Sequence, residues 1–210
     1  MKRTLITGAT SLLFICLLAI APGWAQPNVK ELSKEQLDEF RELTKRKVND
    51  FTEKLSIIAD RKRPLEERIM AKELAMDYFI KWYSKGNQHR TPMVQVSNKN
   101  GRIRSSPIEQ YLNDLLITNR FLDINITFYD AAVVSEFEKG VDGDYYATAS
   151  YFQDFKGYGK DGKLLYSDRT NKKIAITGKS METSKDLGKL DLKVFFGDIT
   201  VTETTPIPVN

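Results

Sequence analysis

Phe121-Leu122-Asp123-Ile124-Asn125-Ile126-Thr127-Phe128-Tyr129 decides the fold class. Before this stretch, apolar residues recur every three or four positions. Within it Leu122, Ile124, Ile126 and Phe128 alternate with Asp123, Asn125, Thr127 and Tyr129, the period of a strand with one covered face. The alternation predicts a long strand running to about Glu138, and it slips at Asp130-Ala131, where a bulge or bend fits. Gly140 to Asp144 turns the chain. Tyr145, Ala147, Ala149, Tyr151, Gln153 and Phe155 then face opposite to Tyr146, Thr148, Ser150, Phe152 and Asp154. After the glycine-rich loop Gly157-Tyr158-Gly159-Lys160-Asp161-Gly162, strands over about 163–178 and 189–204 make four in all. The last carries Leu190, Leu192, Val194 and Phe196 on one face.

Toward the N-terminus the period is helical. Leu32-Ser33-Lys34-Glu35-Gln36-Leu37 combines a capping box from Ser33 to Gln36 with a hydrophobic staple between Leu32 and Leu37. Leu37, Phe40, Val48, Phe51, Leu55 and Ile58 continue one apolar stripe, so a long amphipathic helix is expected over about 34–59. Asp60 to Arg63 breaks it. Pro64 suits the first turn of a second helix, Glu66 and Glu67 favour its positive end, and Leu65, Ile69, Met76, Phe79, Ile80 and Tyr83 make its apolar face. The polar segment Ser84 to Thr91 ends it. Met93, Val94 and Val96 lead into Asn98-Lys99-Asn100-Gly101, a hairpin turn, before Ile103. Ser106-Pro107-Ile108-Glu109 then opens a third helix, with Ile108, Tyr111, Leu112, Leu115 and Leu116 on one face.

These elements predict an α+β domain, with three N-terminal helices packed on a strongly bent antiparallel sheet made of a short hairpin plus a four-stranded meander. The chain has 210 residues, 41% of them hydrophobic, with one cysteine and one histidine, which excludes disulfide frameworks and histidine- or cysteine-rich metal clusters. The expected boundaries are a signal peptide over 1–25, an extension over 26–33, the domain over 34–204 and a tail over 205–210.

Met1-Lys2-Arg3, the apolar run Leu12 to Ala21 and Pro22-Gly23-Trp24-Ala25 form the three regions of a secretory signal peptide. Ten apolar residues fall short of the roughly twenty that span a bilayer, so cleavage after Ala25 and export to a periplasmic or extracellular space are expected. Ile15 before Cys16 is too large for a lipidation site. Removal of this segment takes away the cysteine and, with Lys2 and Arg3, two of the formal +4 charges. With so small an excess, a polyanion partner is not expected: no nucleic acid, and no membrane once the signal is removed.

The order helix, helix, short hairpin, helix, four long strands resembles the nuclear transport factor 2-like fold, also called ketosteroid isomerase-like. It is similar to secreted bacterial members without an assigned role. The resemblance covers about 34–204 and rests on element order and lengths. It implies a sheet wrapped round the first helix and a cone-shaped cavity between sheet and helices. Isomerases, dehydratases, cyclases and transport modules share that fold, so it selects no single function.

Candidate residues follow from position. Ala147 and Ala149 between Tyr145 and Tyr151 leave room over the sheet, and Gln153 adds a polar group to that face, a mixture suited to a small amphipathic ligand. A helix packed onto the alanines would fill the same space. Trp82, Tyr111, Phe128, Tyr151 and Gln153 are the expected ligand-binding residues. No catalytic residue is assigned: His89 lies in a polar loop, and Asp114 and Asp130 read as a helix-face and a bend residue. The apolar strand faces carry no clean acid. Asp142-Gly143-Asp144 lacks the further ligands of a calcium loop, and Gly157-Tyr158-Gly159 opens no helix, so neither metal nor cofactor is expected. The leading expectation is an exported, non-enzymatic binding or protein-interaction module, with a homodimer through the open sheet face carrying Tyr146, Phe152 and Phe195. An isomerase or dehydratase for a small hydrophobic substrate is the alternative, and a peptide- or glycan-binding adaptor a third reading.

Overall fold

Ser33 starts the first helix by a reciprocal pair of bonds. Its hydroxyl accepts from the Gln36 N–H at 3.4 Å, and the Gln36 side chain accepts from the Ser33 N–H at 2.9 Å. The helix, α1 (Lys34–Ala59), buries Phe40, Val48, Phe51, Leu55 and Ile58. These coordinates are a computed structural model that describes residues 31–81, 83–85, 88–98, 100–118, 120–182 and 190–208. The expected signal segment and Trp82 lie outside the described residues. Among the described residues no helix is long and apolar enough to cross a membrane.

The second helix, α2 (Leu65–Met76), is shorter than its apolar spacing predicts. Its buried side is Arg68, Ala71 and Ala75, whereas Leu65 and Met70 are exposed. Small alanines let the helix approach α1 closely, and Arg68 closes the contact. Its guanidinium donates to Ile58 O at 2.8 Å and to Leu116 O at 2.7 Å, so one side chain satisfies carbonyls at the ends of two other helices. After Met76 the chain extends. Ile80 N–H donates to Phe196 O at 3.0 Å and Phe196 N–H to Tyr78 O at 2.8 Å. Extension carries Phe79 into a cluster with Phe51 and Phe196, ring centroids 5.4 and 5.7 Å away.

The segment expected to be a polar loop pairs as β1 (Tyr83–Lys85) with β2 (Gln88–Arg90). The hairpin β3 (Met93–Ser97) and β4 (Ile103–Pro107) turns at Gly101, whose φ of 71° suits glycine. Helix α3 (Ile108–Ile117) begins after Pro107 without a side-chain cap, a difference from the expected Ser106 cap. The remaining strands are β5 (Asp123–Val134), β6 (Glu138–Lys139), β7 (Tyr145–Tyr158), β8 (Leu164–Glu182) and β9 (Leu190–Pro206).

The described residues therefore form an α+β fold with three helices, a seven-stranded sheet ordered β4-β3-β9-β8-β7-β5 with β6 beside β7, and the separate β1–β2 pair. The sheet is mixed and not purely antiparallel, because β3 meets β9 in parallel at Val94 and Ile199. Two side-chain bonds reinforce that short seam: Met93 N–H to Asp198 Oδ1 at 2.9 Å and Val201 N–H to Gln95 Oε1 at 3.1 Å. Register shifts occur between Tyr129 and Val133 in β5 and at two places in the β8–β9 pairing, where β9 carries the extra residue, each a device that increases local twist. Leu32 packs in the core and its N–H donates to the Tyr145 hydroxyl at 3.0 Å, so ordered structure begins before α1.

Candidate binding site

Cross-strand register builds the site. Residues directly opposite in an antiparallel pair share a face. Tyr151 stands opposite Lys172, Gln153 opposite Thr170, Phe155 opposite Asp168 and Gly157 opposite Tyr166. The helix-covered face of β7 and β8 therefore carries Tyr166, Asp168, Thr170 and Lys172 in alternation, continued by Ile174 and Ile176. The expectation that the inward faces hold no acid is corrected here: Asp168 is on that face and buried.

Over this end of the sheet lies a cavity of about 170 Å³. Gln153, Asp168, Thr170 and Lys172 form its polar wall; Tyr111 and Leu115 from α3, Phe121 and Phe155 form the apolar one. An adjoining chamber of about 240 Å³ shares Tyr111, Leu115, Arg120 and Phe121 and adds Arg104, Asp114 and Ile124. A dry cavity of ~150 Å³ holds benzene, so the inner chamber has room for one ring-sized group. Gly157 leaves the space that the Phe121 ring of this wall occupies. A β-carbon there would come within 2.5 Å of the Phe121 ring, which needs the space to reach the aromatic group of Phe155 and Tyr166.

The polar wall is electrostatically unusual. The Tyr166 hydroxyl donates to Asp168 Oδ2. Burial pushes the Asp168 carboxyl above the ordinary carboxylate range, and the Tyr166 bond, the Lys172 charge and a Thr170 bond oppose that without cancelling it. Burial also raises the Tyr166, Tyr111 and Tyr151 phenols. Lys172 is 3% exposed, and its ammonium is pushed down to about 8, burial outweighing the Asp168 charge. The Tyr111 ring lies 5.5 Å from its Nζ, measured to the centroid. Tyr151 Oη and Gln153 Oε1 are buried without a hydrogen-bond partner among the described residues.

The residues expected from sequence fall in different places. Tyr111 and Gln153 line the cavity. Tyr151 stands beside Lys172 in register, outside the wall, and Phe128 lies behind it with ring centroids 5.9 Å apart. Trp82 is outside the described residues. The space over Ala147 and Ala149 is core, and Ala149 is fully buried, so the cavity is displaced along β7 toward Phe155. Sequence reasoning missed Tyr166, Asp168 and Lys172. The signal available was the alternation Tyr166, Asp168, Thr170, Lys172, Ile174, Ile176, whose apolar end marks the covered face.

The other expected features are structural or exposed. Asp114 is exposed on α3 and accepts from Gln110 Nε2 at 2.7 Å. Phe195 is half-buried, with Lys47 Nζ 5.7 Å from its ring centroid. Among the described residues no group of three His, Cys, Asp or Glu side chains is arranged to hold a metal ion. Comparison with protein-family models and with curated proteins finds no match for this chain.

Proposed function

We propose that this chain is an exported binding module of nuclear transport factor 2-like type that holds a small amphipathic ligand in the cavity under α3. The carrying observation is the cavity of about 170 Å³ with an aromatic wall facing Gln153, Thr170 and Lys172. An apolar enclosure with a few convergent polar groups is how small-molecule sites are generally built. The element order and the strand register shifts support the fold assignment. The segment 1–25 supports export, and mass spectrometry of the secreted protein tests it: a mature N-terminus at Gln26 is expected, and an intact Met1 overturns it. A homodimer through the open sheet face rests on Tyr146 and Phe152, the latter 40% exposed. Chemical-shift mapping with ring-sized amphipathic fragments tests the binding reading. Perturbations centred on Tyr111, Leu115, Gln153 and Thr170 are expected, and shifts scattered over the surface would sink it.

A second reading, an isomerase or dehydratase acting on a small hydrophobic substrate, is favoured by one arrangement: Asp168, with its raised proton affinity, accepts from Tyr166 in the cavity wall. A carboxyl poised nearer neutrality beside a tyrosine is equipped to move a proton at carbon. Solvent deuterium exchange into the α-carbons of cyclohexanone tests it. Acceleration by the wild type that Asp168→Asn abolishes supports catalysis; exchange at the buffer rate refutes it.

A further inference from the structure

Four charged side chains are buried among the described residues: Arg68, Asp154, Asp168 and Lys172. Three have partners that account for their burial. Arg68 donates to two helix-end carbonyls, Asp154 is held by both arms of Arg169 at 2.7 and 3.0 Å, and Asp168 accepts from Tyr166. Lys172 has neither an ion pair nor a hydrogen bond among the described residues. An ammonium removed from water without an acceptor is costly, and a folded domain keeps such a group where an anion meets it.

We propose that the inner chamber binds a monocarboxylate with an apolar body about the size of one six-membered ring, its carboxylate on the Lys172 ammonium. This rests on the pocket reading above and specifies the ligand it takes. Gln153 Oε1, on the cavity wall and without a hydrogen-bond partner among the described residues, is an acceptor that suits one N–H of the Lys172 ammonium and leaves the others for the carboxylate. The ring lies among Leu115, Phe121 and Phe155. A single negative charge fits better than a phosphate dianion, because one lysine forms the floor and Asp168 shares the wall. Asp168 stands four residues along β8 in the same wall, near enough for its charge and that of Lys172 to act on each other, and its carboxylate is engaged by Tyr166. Arg120, which lines both chambers, and Arg104 in the outer one set a positive approach against Asp114.

Isothermal titration of the purified full chain at pH 7 with benzoate, benzamide and benzylamine tests the proposal. Benzoate should bind at least about tenfold more tightly than benzamide, as a charge-assisted contact requires, and benzylamine should be weakest. Lys172→Met should weaken benzoate by about tenfold or more and leave benzamide within about threefold. Lys172→Gln serves the same purpose should the methionine variant fail to fold, and the acid-to-amide comparison in the wild type needs no variant. Benzamide binding as tightly as benzoate, or benzoate binding unaffected by loss of Lys172, overturns the carboxylate assignment and leaves the pocket standing. No saturable binding of any of the three overturns both.

Discussion

Replacing Lys172 with methionine should make the protein more stable, not less. The substitution keeps an unbranched side chain of similar length and removes the charge. A proton affinity that falls from 10.5 to about 8 on folding carries about 3 kcal/mol against the charged form, at about 1.4 kcal/mol per pH unit. The direction with pH follows from proton counting. Below about pH 8 the folded and unfolded chains both hold this proton, and the full penalty weighs on the folded state. Between about 8 and 10.5 the unfolded chain keeps a proton the folded chain has released, so stability rises with pH; above that range the penalty is gone. Urea unfolding followed by circular dichroism should therefore show Lys172→Met more stable than wild type by up to about 3 kcal/mol at pH 7. The gap should shrink by about 2 kcal/mol at pH 9.5. Taking the difference between the two proteins cancels the titration of distant groups. Asp168, Tyr111, Tyr151 and Tyr166 are the neighbours whose own titration could respond. A variant less stable than wild type at pH 7, or a gap that does not change with pH, refutes the reasoning that an uncompensated buried charge is held at this position.

Three further outcomes follow from the packing. Arg68→Met should destabilise the fold by about 2–4 kcal/mol in the same urea assay, because the Ile58 and Leu116 carbonyls lose their shared donor in a buried setting; a loss below about 0.5 kcal/mol would show that water replaces it. Gly157→Ala should cost about 1–3 kcal/mol and shift the ring resonances of Phe121, since the new methyl occupies the ring's place; unchanged rings would contradict this wall. Tyr166→Phe should raise the Asp168 carboxyl further, because the hydroxyl bond is the largest influence holding it down. A carbon-detected NMR titration reads that midpoint, and a downward movement would contradict the assignment.

Local patterns carried a large part of the fold. The stripe from Leu37 to Ile58 is the one α1 buries, and the Ser33–Gln36 pair caps it, because helix spacing and capping depend on neighbours within one turn. The end of α2 was illegible for the opposite reason: Phe79 leaves the helix to reach Phe51 and Phe196, partners far away in sequence. The parallel seam of β3 with β9 is likewise non-local, joining Val94 to Ile199. At the site, Tyr111 and Gln153 were reached through their apolar surroundings. Asp168 and Lys172 were hidden because the face of β8 depends on register, and a one-residue slip exchanges the two faces. The register irregularity at Gly157 and Tyr158, just before the turn into β8, introduces such a slip.

What the sequence determined by itself is the alternation of periods: helical up to Leu116 apart from the hairpin around Asn98 to Gly101, two-residue from Phe121 onward, and hence an α+β chain. Those periods are properties of the backbone and can be read without knowing what any residue touches. Only the tertiary structure decided that Tyr166, Asp168, Thr170 and Lys172 face inward, that the cavity lies beside Phe155 and not over the alanines, and that Lys172 is buried without a hydrogen bond or ion pair among the described residues. Those facts depend on which strands pair, in what register, and on which helix covers them. A charge in a strand reads as solvent-facing until the opposite wall is known.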